Sequence, residues 1–298
     1  MSPPFPELPW IVIVSLAVLA ITAIAALFGF FLRYQPRRPV PWHTIDLVLV
    51  VVFYFVAQSG AVGLAHAVLG PHVPRAAVAH SPGQSTAEHV IGQLIAEGNA
   101  WVLLLCVVSA TIVAPVTEEF FFRVLLQGWL EALQHRWRRQ MPTLRRLVPN
   151  GVGPVVLVSL LFAGMHFRVE SPPVDARFLV FLLAGDAVAR LLAVAFAVGL
   201  LRWRVGATAA DLGWAPQKTL GDIALGLTAF AAVAAPIYAM QLALRSLLPE
   251  YIAPDPLPLF FLALALGTLY YRTHRLMPLI VLHAALNGTS LVLAWLCR

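Results

Sequence analysis

The chain alternates between long apolar runs and short polar connections. Apolar residues fill 11–32 and, roughly, 45–70, 99–117, 152–167, 178–201, 220–246, 257–271 and 277–296. Each run is near or somewhat below the ~20 residues a helix needs to cross a bilayer. The pattern predicts an all-α, polytopic transmembrane helical bundle of about eight spans. One stretch strains that division. From Trp101 to Leu133 the helical pattern continues through Pro115 and through a charged motif. A proline inside a helix removes a hydrogen bond and crowds the preceding turn, so a kink or break is expected at Pro115. The part after Glu118 is expected to leave the membrane as an amphipathic helix.

The polar connections sort by charge. RYQPRRP, HRWRRQMPTLRR, RWRV and YRTHR are rich in arginine. The stretch from Pro71 to His89, RVESPPVDAR and LPEYIAPDP are mixed or acidic. The two sets alternate along the chain, and basic loops face the cytoplasm. The expectation is a multi-pass protein of the cell membrane with both termini outside. The first run lacks a basic leader and is longer than a signal-peptide core, so it reads as an uncleaved span.

Composition agrees with this picture. Hydrophobic residues make up 60% of the chain and charged residues 11%, against about 25% charged in ordinary soluble domains. The net charge of +6 resides in the loops that set topology, so no nucleic-acid partner is implied. Cys106 and Cys297 suggest neither a disulfide framework nor a metal site. No repeat or low-complexity tail divides the chain, so residues 1–298 are treated as one domain.

Against this background VAPVTEEFFFRVLLQGWL, Val113 to Leu130, stands out. Glu119 and Arg123 are four residues apart and share a helix face, where they can pair. Glu118 is rotated by about 100° and has no partner nearby in sequence. Ionisable groups inside a membrane are expensive and mark function by default. Two further motifs offer companions. VVLVSLLFAGMHFR places His166 at the end of an apolar run, one turn after Phe162. LIVLHAALNGTSLVLAW places His283 and Asn287 one turn apart. A carboxylate, two imidazoles and an amide on converging helices would supply a base, a proton-relaying group and oxyanion donors.

EEFFFR, FAGMH and HAALN, in this order, match Glu-Glu-x-x-x-Arg, Phe-x-x-x-His and His-x-x-x-Asn. The trio resembles the motifs of the CPBP family, the CAAX-protease and bacteriocin-processing intramembrane endopeptidases. The resemblance covers about 100–135, 150–170 and 257–296. It implies a glutamate-dependent peptidase without metal or other cofactor. Carried over, Glu118 activates water, His166 helps hold it, and His283 and Asn287 stabilise the oxyanion. Glu119 and Arg123 support the site. The implied partners are the bilayer and a membrane protein or lipidated, CAAX-type peptide substrate. The 117 residues from His166 to His283 exceed the family's usual spacing. Two apolar segments fill them and read as an extra helical hairpin at about 177–250.

Other readings use the same residues. A metal-dependent membrane hydrolase could use Glu118, His166 and His283, although His-Glu-x-x-His is absent. A non-catalytic scaffold, binding protein or transporter could keep the fold and its buried charges. Asp186 and Arg190, again four apart, read as a local neutralising pair. His66 reads as a hydrogen-bonded packing residue. Ser109 and Thr111 are expected to bond back to helix carbonyls. His43, His135 and His274 lie in basic loops and are expected to be solvated. Trp42, Trp101, Trp203 and Trp295 fall near span ends, as interfacial anchors should.

Overall fold

The computed structural model describes residues 15, 19, 34–35, 39–69, 100–141, 149–166, 176–247 and 256–296. These form helices α1 (Thr44–Leu69), α2 (Ala100–Gln140), α3 (Val152–Met165), α4 (Ala176–Val205), α5 (Thr219–Leu247), α6 (Pro256–Thr273) and α7 (Met277–Leu296). No strand occurs among the described residues. Five helical segments are long and apolar enough to cross a membrane: α1, α2, Val180–Val205, Pro216–Leu244 and α7. Of the other expected spans, 152–167 becomes the 14-residue α3, and 257–271 lies in the 18-residue α6. The first apolar run apart from residues 15 and 19, Cys297 and the stretch from Pro71 to His89 lie outside the described residues.

The chain divides into two compact units. One takes the described residues of Met1–Arg38, Leu130–Arg168 and Pro216–Leu282. In it α6 packs along α3 and α5. Apolar on nearly all sides, α6 buries Phe261, Leu262, Ala265, Leu266, Leu269 and Tyr270, as an all-round hydrophobic helix must. Met240 and Leu244 of α5 close over Phe261. Gly151 opens α3 at φ +80°, and a Cβ there would run into the Tyr271 ring. Its N–H donates to the side-chain Oε1 of the buried Gln134 at 2.9 Å. Gly226 of α5 meets α7: a Cβ would stand 2.6 Å from the Pro278 carbonyl oxygen and 2.7 Å from Val281 Cβ. Backbone cannot yield as a side-chain tip can. Gly226→Ala is therefore expected to lower stability by about 1–3 kcal/mol, as overpacking does, read as a lower melting temperature in detergent.

His274 corrects an expectation in this unit. It is buried, not solvated. Its Nε2 lies 3.2 Å from Glu131 Oε2, and Tyr34, Tyr270 and Tyr271 meet it with rings edge-on. It takes φ +50° where α6 ends, the left-handed position that closes many helices. Glu131 and the three tyrosine rings take the imidazole out of solvent.

The other unit takes Pro39–Trp129, Val169–Ala215 and His283–Arg298. Here α1 lies along α4, with Phe53 stacked on Phe196 at 4.0 Å between ring centres. Gly185 permits the close approach, since a Cβ there would sit 3.2 Å from Ala61 Cβ. Asp46 begins α1 by accepting the His43 N–H at 2.8 Å, and its other oxygen takes Arg204 Nε at 2.7 Å. Trp101, Trp203 and Trp295 are exposed, as anchors should be. Trp42 is instead buried, donating its indole N–H to the Leu125 carbonyl at 3.1 Å. His66 lies on the exposed face of α1 rather than in packing.

Pro115 does not break α2. The helix runs 41 residues, about 60 Å at 1.5 Å per residue and twice the ~30 Å hydrocarbon layer. It absorbs the proline by widening. Ser109–Val113 and Phe120–Gln127 are π-helical turns, a device that recurs at functional sites.

Candidate active site

The widened turn sets the site. The Ala114 N–H bonds to the Ser109 carbonyl, five residues back. In an ordinary α-helix that donor would serve Ala110. The next residue, Pro115, has no N–H to offer. The Ala110 carbonyl is thus left without those backbone donors, and Asn287 Nδ2 donates to it at 2.8 Å. An asparagine on α7 thereby replaces a bond that the proline removed from α2. Thr111 and Thr117 bond back to Val107 and Val113 carbonyls, each at 2.7 Å. Ser109 departs from expectation. Its hydroxyl is buried and, among the described residues, has no hydrogen-bond partner.

One turn further, α2 carries the charges. Glu119 and Arg123 pair as their spacing indicated, Nε to Oε2 at 3.2 Å, with both side chains 0% exposed. The other Glu119 oxygen, Oε1, lies 2.8 Å from His283 Nδ1. Both Glu119 oxygens are therefore committed. Glu118 points elsewhere and keeps 16% of its side chain exposed. Its Oε2 faces His283 Nε2 across 4.0 Å. The one imidazole lies between the two glutamates, bonded to one and facing the other.

Glu118 also has a partner that the sequence reading assigned elsewhere. Arg190 of α4 reaches its Oε1 with Nη1 at 3.1 Å. The same guanidinium meets Asp186 Oδ2 through Nε at 2.7 Å, so the expected local pair exists within a larger network. Gln58 of α1 donates to the second Asp186 oxygen at 2.7 Å. Spacing exposes only the four-residue pairs; the bond across 72 positions depends on how α4 lies against α2. The available signal was that Glu118 was the motif carboxylate with no partner one helical turn away.

Of the residues singled out by motif, Glu118, Glu119, Arg123, His283 and Asn287 lie within one unit. His166 belongs to the other, at the C-terminal end of α3. There its Nδ1 lies 2.7 Å from the Phe162 carbonyl and its ring 4.5 Å from the Phe162 ring, which accounts locally for the Phe-x-x-x-His spacing. Cys106 is a buried free thiol. Among the described residues, no three His, Cys, Asp or Glu side chains converge so as to hold a metal ion.

The model of the type II CAAX prenyl endopeptidase Rce1-like family matches residues 99–289. That range contains all six motif residues and agrees with the resemblance drawn from the three motifs. No curated protein and no solved structure matches the chain.

Proposed function

This chain belongs to the Rce1-like family of type II CAAX prenyl endopeptidases, and from that premise we propose that it hydrolyses a peptide bond of a membrane-associated or prenylated, CAAX-type substrate by glutamate-activated water. The observation that carries this reading is the division of labour between adjacent glutamates. Glu119 is spent on Arg123 and His283. Glu118 presents Oε2 toward His283 Nε2 at 4.0 Å. A water placed about 2.8 Å from each atom would fit that gap at ordinary hydrogen-bond lengths.

In this reading Glu118 takes a proton from that water, and the oxygen bonds to the scissile carbonyl carbon. The carbonyl becomes an oxyanion, met by N–H donors. His283 serves with a proton on each nitrogen, Nδ1 toward Glu119 and Nε2 toward the oxyanion. Asn287 offers the amide hydrogen that Ala110 does not use. The carbon–nitrogen bond then breaks, and Glu118 returns its proton to the departing amine. The role of His166, helping to hold the water, rests on its motif alone. Glu119 and Arg123 act as supports. We take the protein to be a multi-pass component of the cell membrane with about eight spans. It is a single domain, with the segment at about 177–250 added between the second and third motifs.

The test is cleavage of an S-farnesylated peptide ending in a CAAX sequence by the purified protein in liposomes. Cleavage releasing the C-terminal tripeptide is expected, and it should persist after EDTA or phenanthroline. Activity lost on chelation and restored by Zn²⁺, with stoichiometric metal in the purified protein, would replace this reading with the metal hydrolase. Failure to cleave any prenylated or membrane peptide would favour a scaffold.

A further inference from the structure

The Rce1-like motifs contain one arginine, Arg123, and it serves Glu119. Glu118 is held by another, Arg190, from the segment between the second and third motifs. We propose that Arg190 is a positioning residue: its guanidinium ties down Oε1 of Glu118 so that Oε2 alone is presented to the attacking water. This rests on Glu118 being the base.

Three observations carry it. First, the arginine engages two carboxylates with different nitrogens, Nε on Asp186 at 2.7 Å and Nη1 on Glu118 at 3.1 Å. Neutralising Asp186 alone would not require that second bond. Second, the arginine is itself anchored. Gln58 fixes Asp186 from α1 at 2.7 Å, so a chain of side chains from α1 and α4 ends on the oxygen of Glu118 on α2. Third, the helices are pressed together where this chain runs. Gly185, next to Asp186, lets α4 approach Ala61 of α1. The side chains of Arg190 and Glu118 are only 25% and 16% exposed, so water competes weakly for these bonds. A carboxylate able to rotate offers either oxygen in many directions. One with an oxygen pinned offers the other in one direction, and a misplacement near 1 Å can lower a rate by about a hundredfold.

Arginine suits this work because its planar fork fixes the angle between its bonds, whereas lysine is a single movable charge. Arg190→Gln should lower kcat by about 10²-fold while KM changes by less than about threefold, because the arginine touches the base and not the peptide. Arg190→Lys should recover part of kcat. Asp186→Asn, which loosens the arginine without removing it, should fall between Arg190→Gln and wild type. Rates are measured on the farnesylated peptide in liposomes, per molecule of monodisperse protein. Arg190→Lys and Asp186→Asn decide the matter if Arg190→Gln does not fold. Wild-type kcat in these variants, with Glu118→Gln inactive, overturns the role of Arg190 and leaves the base assignment standing. A change confined to KM or to melting temperature also overturns it. Full activity in Glu118→Gln overturns the base assignment itself.

Discussion

Glu118→Gln is expected to abolish cleavage while the protein still inserts, folds and binds substrate. The amide keeps the size and shape of the carboxylate but cannot take the proton from water. Its oxygen can still accept from Arg190 Nη1, which stands 3.1 Å from Oε1, so the helices have little reason to shift. Loss of a general base alone lowers rates by about 10²–10⁴-fold. In the proposed mechanism the same group also returns the proton to the leaving amine, so the upper end or beyond is expected. The measurement is turnover of the farnesylated peptide by purified variant and wild type, with melting temperatures run alongside. Near-normal turnover in a well-folded variant would remove Glu118 from the chemistry.

Glu119→Ala and Arg123→Ala are expected to act mainly through stability, and strongly. Both side chains are fully buried and joined at 3.2 Å. Removing either leaves the other charge without its opposite in a low-dielectric interior, at about 3–5 kcal/mol. The two singles are not equivalent. Glu119 also holds His283 at 2.8 Å, so its loss should reduce turnover of the surviving folded protein. Arg123→Ala should spare turnover more. The double alanine variant should regain part of the stability, since neither member of the pair is left stranded by the other's loss. Thermal melting of the four proteins in one detergent checks this. Two single variants with wild-type stability would mean that the pair contributes nothing.

How much of this was legible before folding depends on distance along the chain. The apolar runs alone determined an all-helical membrane protein, because backbone polar groups in lipid must be satisfied within the segment. The Glu119–Arg123 and Asp186–Arg190 pairs were legible for the same local reason, since residues four apart share a helix face. The three motifs carried the family. Pro115 was read as a kink or break because the rule for proline considers only the helix that contains it. That helix continued because a π-turn and Asn287, 177 positions away from Ala110, took up the freed carbonyl. Trp42 and His274 looked like surface residues by position, yet tertiary packing buried them and gave them Leu125 and Glu131 as partners. Glu118 met Arg190 only because α4 lies against α2. Local spacing decides what one helix can do with its own side chains. Which helix supplies the missing donor, acceptor or charge is decided by packing, because such partners stand close in space at separations in sequence that carry no pattern.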